Sequence, residues 1–486
     1  MRIVLIACVF SLAVLASCTK PNQKFCCVTE EQCSAAGVVD ELRPCGAGQA
    51  CKETVCVEKE CDTSADCTSQ DAPSCVNNLC VAGCGVDDDC LGVPGKPHCD
   101  IDGTCVGCFS NDQCPTDKAI CDLDTRSCRG CTGDDQCASG VCIEADGICA
   151  ADTEILYVTQ LGVDSGGCAK TAPCRTITYA SGFVTATKRV IRILSGNFST
   201  DANTVALGQA IVIDGSNTTL ALGGAPMFSV GDRATVEGVR TTSNAEVFNV
   251  AVGGRLKIAA TTIESGRIAM LNGGSIEMSD VKFVNGDMDL RNGSVTIIRG
   301  DFDRSPIATS NCELSISASR LGPGLDTINA SSGLVTIENN VFVATVEGEN
   351  LLRFVGHAPG STFRFNTVVN TSTIQSSGTA IGCDNSIEMT SNIIAYNTTI
   401  PFSSQCVVRH TLFDLAGAQA AMGGTANVSA DGSTFFRDRS NGDFHLPSTS
   451  PALGLGEPGL VTIDRDGNAR PAPMGSAPDV GAYEAP

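Results

Sequence analysis

Tryptophan is absent from the 486 residues and tyrosine occurs 4 times, so the flat aromatic platforms on which sugars and bases stack are scarce. Basic residues are scarce as well. Only 32 Lys+Arg face 54 Asp+Glu, a formal charge of −22, and nucleic acid is excluded as a general partner because a polyanion is repelled over most of such a surface. Charged residues make up only 18% of the chain, too few for a disordered acidic tail. The apolar run from Ile3 to Ala16 stops at about 14 residues, short of the roughly 20 that a membrane-crossing helix needs, and with Arg2 before it reads as the core of an export signal. In place of these features stand 29 Cys and 51 Gly. The chain is too long for one disulfide miniprotein, so two architectures must share it.

The export run ends in Leu15-Ala16-Ser17-Cys18, which resembles the lipobox of bacterial lipoproteins. The resemblance implies a signal peptide over 1–17, cleavage before Cys18, and acyl chains on that cysteine. Acyl chains give firm attachment at roughly 0.8 kcal/mol per buried CH₂. The implied partner is therefore the membrane, and the implied location is the cell envelope. Thr19 in place of Asp after the cysteine points to the outer membrane, with the periplasmic and cell-surface faces both open.

Between Cys26 and Cys149 lie 22 cysteines, which an exported chain would oxidise. An irregular unit over 18–60 carries Cys26, Cys27, Cys33, Cys45, Cys51 and Cys56. Four repeats then fill 61–150, opening with Cys61/Cys67, Cys84/Cys90, Cys108/Cys114 and Cys131/Cys137, each with five residues between. They start 23, 24 and 23 residues apart and close with Cys75/Cys80, Cys99/Cys105, Cys121/Cys128 and Cys142/Cys149. Four cysteines close two bridges per unit, with three pairings open. A unit this short buries too little to fold on its own, so the bridges, worth about 2 to 4 kcal/mol each, must hold it. Acidic or amide residues precede the second cysteine, as in Asp87-Asp88-Asp89 and Asp134-Asp135-Gln136. Zinc is disfavoured, because His98 is the only histidine here. The pattern resembles short cysteine-rich repeats in exported proteins of myxobacteria and their relatives, and a spacer of little regular structure is expected.

From Asp152 the composition turns to Ile, Val, Thr, Ser, Asn and Gly, and a second kind of repeat emerges over 151–486. An apolar residue is followed by others two and seven positions later, as in Leu256/Ile258/Ile263, Ile276/Met278/Phe283 and Val295/Ile297/Phe302. Residues i and i+2 share one face of a strand, and a bend turns the later residue inward on the next strand. Stacked coils would place Ile258, Met278, Ile297, Ile316 and Ile337 in one column and Ile263, Phe283, Phe302, Leu321 and Phe342 in another. The expected fold is all-β, a parallel β-helix solenoid; a β-sandwich gives no reason for the recurrence. Asn340, Asn366 and Asn392 recur at one place, where Asn suits a left-handed bend and a ladder of amides.

Tyr157-Val158, Gly162, Asp164, Cys168 and Pro173-Cys174-Arg175, with Asp464-Arg465-Asp466-Gly467, Arg470-Pro471 and Pro478-Asp479-Val480-Gly481-Ala482-Tyr483-Glu484, resemble the ends of right-handed parallel β-helix proteins of the pectin-lyase-like superfamily. Cys168 and Cys174 are near enough in sequence to bridge, and Cys383 with Cys406 could join neighbouring coils, leaving Cys312 over. The superfamily's hydrolases use a Gly-His-Gly segment, absent here, and its lyases use acidic residues holding calcium with an Arg or Lys as base. The nearest approach is Asp287, Asp289, Asp301 and Asp303 with Arg291, Arg299 and Arg304, which adjacent coils could gather on one wall. No cofactor is expected; Ca²⁺ is the one candidate, at those aspartates or at the acidic clusters of the cysteine repeats. The expectation is a tethered envelope protein whose non-catalytic coil binds a glycan or a surface protein. The alternative is an enzyme acting on acidic polysaccharide.

Overall fold

The structure is a computed structural model that describes Cys45 and residues 49 to 485 apart from short stretches, the longest of them 415–424. The export run, Cys18, Cys26, Cys27 and Cys33 lie outside the described residues. The chain divides into two compact units after Gly130.

In the first unit each cysteine repeat is a loop followed by a small antiparallel hairpin, such as Ile120–Asp122 against Ser127–Arg129. The third and fourth cysteines of a repeat sit directly opposite each other, Cys75 by Cys80, Cys99 by Cys105 and Cys121 by Cys128. Opposed residues of a hairpin point to one face, so both reach back to the loop that carries the first two cysteines. The pairing is first to third and second to fourth: Cys61–Cys75 and Cys67–Cys80, Cys84–Cys99 and Cys90–Cys105, Cys108–Cys121 and Cys114–Cys128. Cys45 pairs with Cys56 ahead of them. The recurrent Asp or Asn three residues before the second cysteine has a structural task. Asp87 accepts the amide of Cys99 at 2.7 Å and Asn111 that of Cys121 at 2.8 Å, which ties loop to hairpin beside each bridge.

The fourth repeat is built the same way, with Cys131–Cys142 and Cys137–Cys149 and Asp134 accepting the amide of Cys142 at 2.9 Å. Its contacts, however, group it with the coil in the second unit. Val141, Ile143 and Ala150 are buried against Ile155, Tyr157, Val190 and Val212, which are the outward residues of the coil's first three strands. Arg192 adds an ion pair to Asp134 at 2.6 Å and another to Asp214.

The second unit is a parallel β-helix of about nine full turns with three walls. Its one described α-helix is the five-residue Ile177–Ser181 near the start. On the first wall, eleven successive parallel pairings carry one inward position from Leu156 through Ile258, Met278, Ile297, Ile316 and Ile337 to Val408, so that wall has twelve strands. The second wall stacks Ile263, Phe283, Phe302, Leu321 and Phe342 in the same way. Phe283 and Phe302 are fully buried with ring centroids 5.9 Å apart, edge to face. The third wall runs from Val205–Leu207 to Ile381–Cys383. Its columns include Phe228, Phe248, Ile268, Met288, Ile307 and Ile328. Every coil thus buries its inward apolar residues on its neighbours, at roughly 1.5 to 3 kcal/mol for a large side chain. Cys168 bridges Cys174 in the opening loop, and Cys383 bridges Cys406 between coils.

The asparagine ladder is present, with one difference. Asn340, Asn366 and Asn392 are fully buried, and each Nδ2 donates to a carbonyl one rung back, that of Ile316, Ile337 and Phe363. Each Oδ1 accepts a backbone amide of the preceding rung, from Ser319, Asn340 and Asn366. The left-handed residue of the bend is the one before, Asn339, Phe365 and Ser391, with φ of 56°, 52° and 60°. The asparagines are therefore selected for bonding the two backbone groups that the bend leaves unpaired, and not for tolerating positive φ.

The closing segment does not lie across the end of the stack. It folds back along the outside of the second wall, where Phe435, Phe444, Leu446, Val480 and Ala482 cover Val341, Val343, Val369, Ile393 and Leu412. A buried charge cluster locks it. Arg470 donates to the carbonyls of Asp479 and Gly481, lies 3.4 Å from Glu484, and stacks 4.3 Å over Phe365. Burial pulls its pKa down to about 10, against the pull of Glu484, Asp464 and Asp479. The Asp464 carboxylate accepts the amides of Asp466, Asn468 and Glu484, which makes Asp464-Arg465-Asp466-Gly467 a turn built around Asp464.

Candidate functional site

The four candidate aspartates are not gathered. Asp287 and Asp289 lie on the third wall beside Arg267 and Ala269, whereas Asp301 and Asp303 lie on the second beside Lys282 and Val284. The strand that carries Lys282 and Asp287 bends between them, at Asn285 with φ 54°, and that bend puts the pairs on different faces. Each carboxylate also meets an arginine: Asp287 meets Arg267 at 2.7 Å, Asp289 Arg291 at 2.9 Å, Asp301 Arg320 at 3.5 Å and Asp303 Arg304 at 3.3 Å. Arg299 is taken by Asp280 at 2.6 Å. Asp287 and Arg267, with Glu246 and Asn285, do line a polar depression of about 400 Å³, where the arginine is held by Asp287.

Among the described residues, the ligand atoms that cluster within 4.8 Å belong to cysteines such as Cys61, Cys67 and Cys80. These are disulfide-bonded and have no thiolate to offer a metal. Cys312 is a buried free thiol whose pKa burial pushes up, the opposite of an activated nucleophile. His357 is buried, and His410 packs its Nδ1 3.2 Å from the Leu455 carbonyl.

A different place stands out by its charge. Over most of the coil an arginine pairs with a carboxylate one rung away, as in Arg240 with Glu264, Arg267 with Asp287, Arg320 with Asp301, Arg364 with Glu338 and Arg409 with Glu388. Arg189, Arg233 and Arg255 have no ion-pair partner among the described residues, and all three line one groove with Lys257. The register explains how they meet. Arg233 and Arg255 are direct partners on adjacent strands, and Thr235 pairs with Lys257. Arg189 immediately precedes the strand Val190–Ile193, two rungs earlier.

The groove exists because one outward row of the first wall changes character. Ile155, Val190 and Val212 are covered by the fourth cysteine repeat, and the row continues as the polar Thr235, Lys257 and Glu277. At that step the repeat's Asp146 reaches Lys257 at 2.8 Å and forms one side of a cavity of about 240 Å³ floored by Val212, Thr235, Leu256 and Ser275. The sequence reading missed this site. The signal was Arg233-Ala234-Thr235-Val236 above Arg255-Leu256-Lys257-Ile258, an extension of the repeat by one rung toward the N-terminus.

No family model matches the chain, and no curated protein matches it. Among solved structures it is similar to the crystal structure of pectate lyase Pel9A, at 15% identity and a TM-score of 0.36, over 68% of this chain and 96% of that one.

Proposed function

We propose that the protein is a cell-envelope lipoprotein, tethered through acyl chains on Cys18, whose β-helix binds an anionic glycan without transforming it. The observation that carries the binding half is the set of three unpaired arginines converging in one groove of a chain with a net charge of −22. Arginine presents a planar fork of donors suited to carboxylate and phosphate oxygens, and the surrounding negative surface keeps such anions from binding elsewhere. The non-catalytic half is supported by the ion pairs that neutralise Asp287, Asp289, Asp301 and Asp303. The tether is supported by the Leu15-Ala16-Ser17-Cys18 sequence.

The test is titration calorimetry of the full chain against a panel of acidic and neutral polysaccharides, with the Arg233→Gln/Arg255→Gln variant alongside. Acidic polymers should bind, neutral ones should not, and the variant should lose at least about tenfold in affinity, as expected for removing two charge-assisted contacts. Equal binding of neutral polymers would sink the groove reading. Release of oligosaccharides on incubation with calcium would replace binding by catalysis. Cys18→Ser should appear in the medium; continued membrane retention would remove the tether.

A further inference from the structure

The groove is small and its charge is unusual for a site that grips a carboxylate chain. Its cations are Arg189, Arg233, Arg255 and Lys257, and its anions are Asp146 and Glu277, so 4 − 2 leaves two positive charges in about 240 Å³. One carboxylate would leave half of that uncompensated. A phosphate monoester carries about −1.5 to −2 at neutral pH and offers three acceptor oxygens. Arg233 and Arg255, one rung apart, each bring a fork of donors. The two forks together with Arg189 exceed the two oxygens of a carboxylate but match a tetrahedral head. Ligand pockets for drug-sized molecules begin near roughly 300 Å³, so the cavity has room for one sugar ring and its ester. Asp146 of the fourth repeat lines one side of the groove and the first wall of the coil the other.

We infer that the groove recognises a phosphate monoester on a single sugar, the anionic group of the glycan, through Arg233, Arg255 and Arg189. The inference rests on the reading that this groove binds anionic glycan, and it names the group that is read. Asp146, held against Lys257, serves as a positioning residue that sets the lysine at the groove edge.

Titration calorimetry of the full chain with glucose 6-phosphate, glucuronate, glucose and vesicles of phosphatidylglycerol decides it. Glucose 6-phosphate should bind at least about tenfold more tightly than glucuronate, since the second charge doubles the electrostatic attraction. Its affinity should fall as pH drops through about 6, where the ester takes up its second proton. Glucose and the vesicles should not bind. Arg233→Gln/Arg255→Gln should abolish the preference while leaving the melting temperature unchanged, because both side chains are exposed. Glucuronate binding as tightly as the phosphate would overturn the inference and leave the anionic-glycan reading standing. If neither sugar acid nor acidic polymer binds, both fail together. Vesicle binding in place of sugar phosphate would overturn the inference in favour of lipid.

Discussion

The two units of this chain stay folded by opposite means. A cysteine repeat encloses about 23 residues and little besides its own bridges, so its stability comes from restricting the unfolded chain. A coil of the β-helix is scarcely longer, yet needs only two bridges in the whole stack, because each rung buries its inward residues on the next. Short units can thus be made stable by cross-linking within the unit or by repetition between units. The fourth cysteine repeat combines both. It is cross-linked like the other three, and it also covers the apolar outer row of the first strands with Val141 and Ile143.

Reduction separates the two means most sharply. Loss of a native bridge in a small domain costs about 2 to 5 kcal/mol, and every repeat of the first unit has two. Under dithiothreitol, hydrogen exchange should become fast throughout Cys61–Cys128 while the amides of the coil stay protected. Equal loss in both units would erase the distinction. The converse experiment is Phe283→Ala, which should lower the unfolding free energy of the coil by about 3 to 5 kcal/mol, as a fully buried phenylalanine does. It should leave the hairpins of the first unit untouched. Denaturant unfolding monitored by exchange in each unit reads both effects.

Asn366→Ala should cost less, about 1 to 3 kcal/mol, by leaving the Asn340 amide and the Ile337 carbonyl unpaired. Tolerance of positive φ is not at stake in that substitution, since the left-handed position is the preceding Phe365. A loss confined to a few tenths would mean that the ladder is incidental. The smallest effect is one of pH. His445 lies between Asp443 and Asp466, the latter 2.8 Å from its Nε2. Burial opposes its charge, but the hydrogen bonds to Asp466 and Asp443 outweigh that and raise its pKa above the ordinary 6.5. A raised folded pKa stabilises below about 6.5 and loses its contribution as pH rises through the folded value. The melting temperature should therefore fall slightly across that window, and the fall should vanish in His445→Gln.

The columns of the coil were legible because strand alternation fixes which residues share a face, and the series from Leu256 to Phe342 is regular. The two columns drawn from sequence match the register. The docking of the fourth repeat was not legible, since Val141 and Ile143 resemble any hairpin residues until the outward Ile155, Val190 and Val212 are known to need cover. The groove escaped for a related reason. Its arginines are 44 and 22 residues apart, and the strand Ile211–Leu220 is irregular between Asp214 and Thr218, which blurs the repeat before Leu256. The aspartate cluster misled because spacing alone does not tell which side of the bend at Asn285 a residue occupies.

The claim on which the rest depends is that side chains one rung apart are in contact, and a double-mutant cycle on Phe283 and Phe302 measures it directly. With Phe283→Leu, Phe302→Leu and the double variant, the unfolding free energies should show a coupling of about 0.5 to 1.5 kcal/mol, as edge-to-face rings do. The same cycle on Phe283 and Phe342, three rungs apart, should show none. Additive effects for Phe283 and Phe302 would contradict the stacked coil.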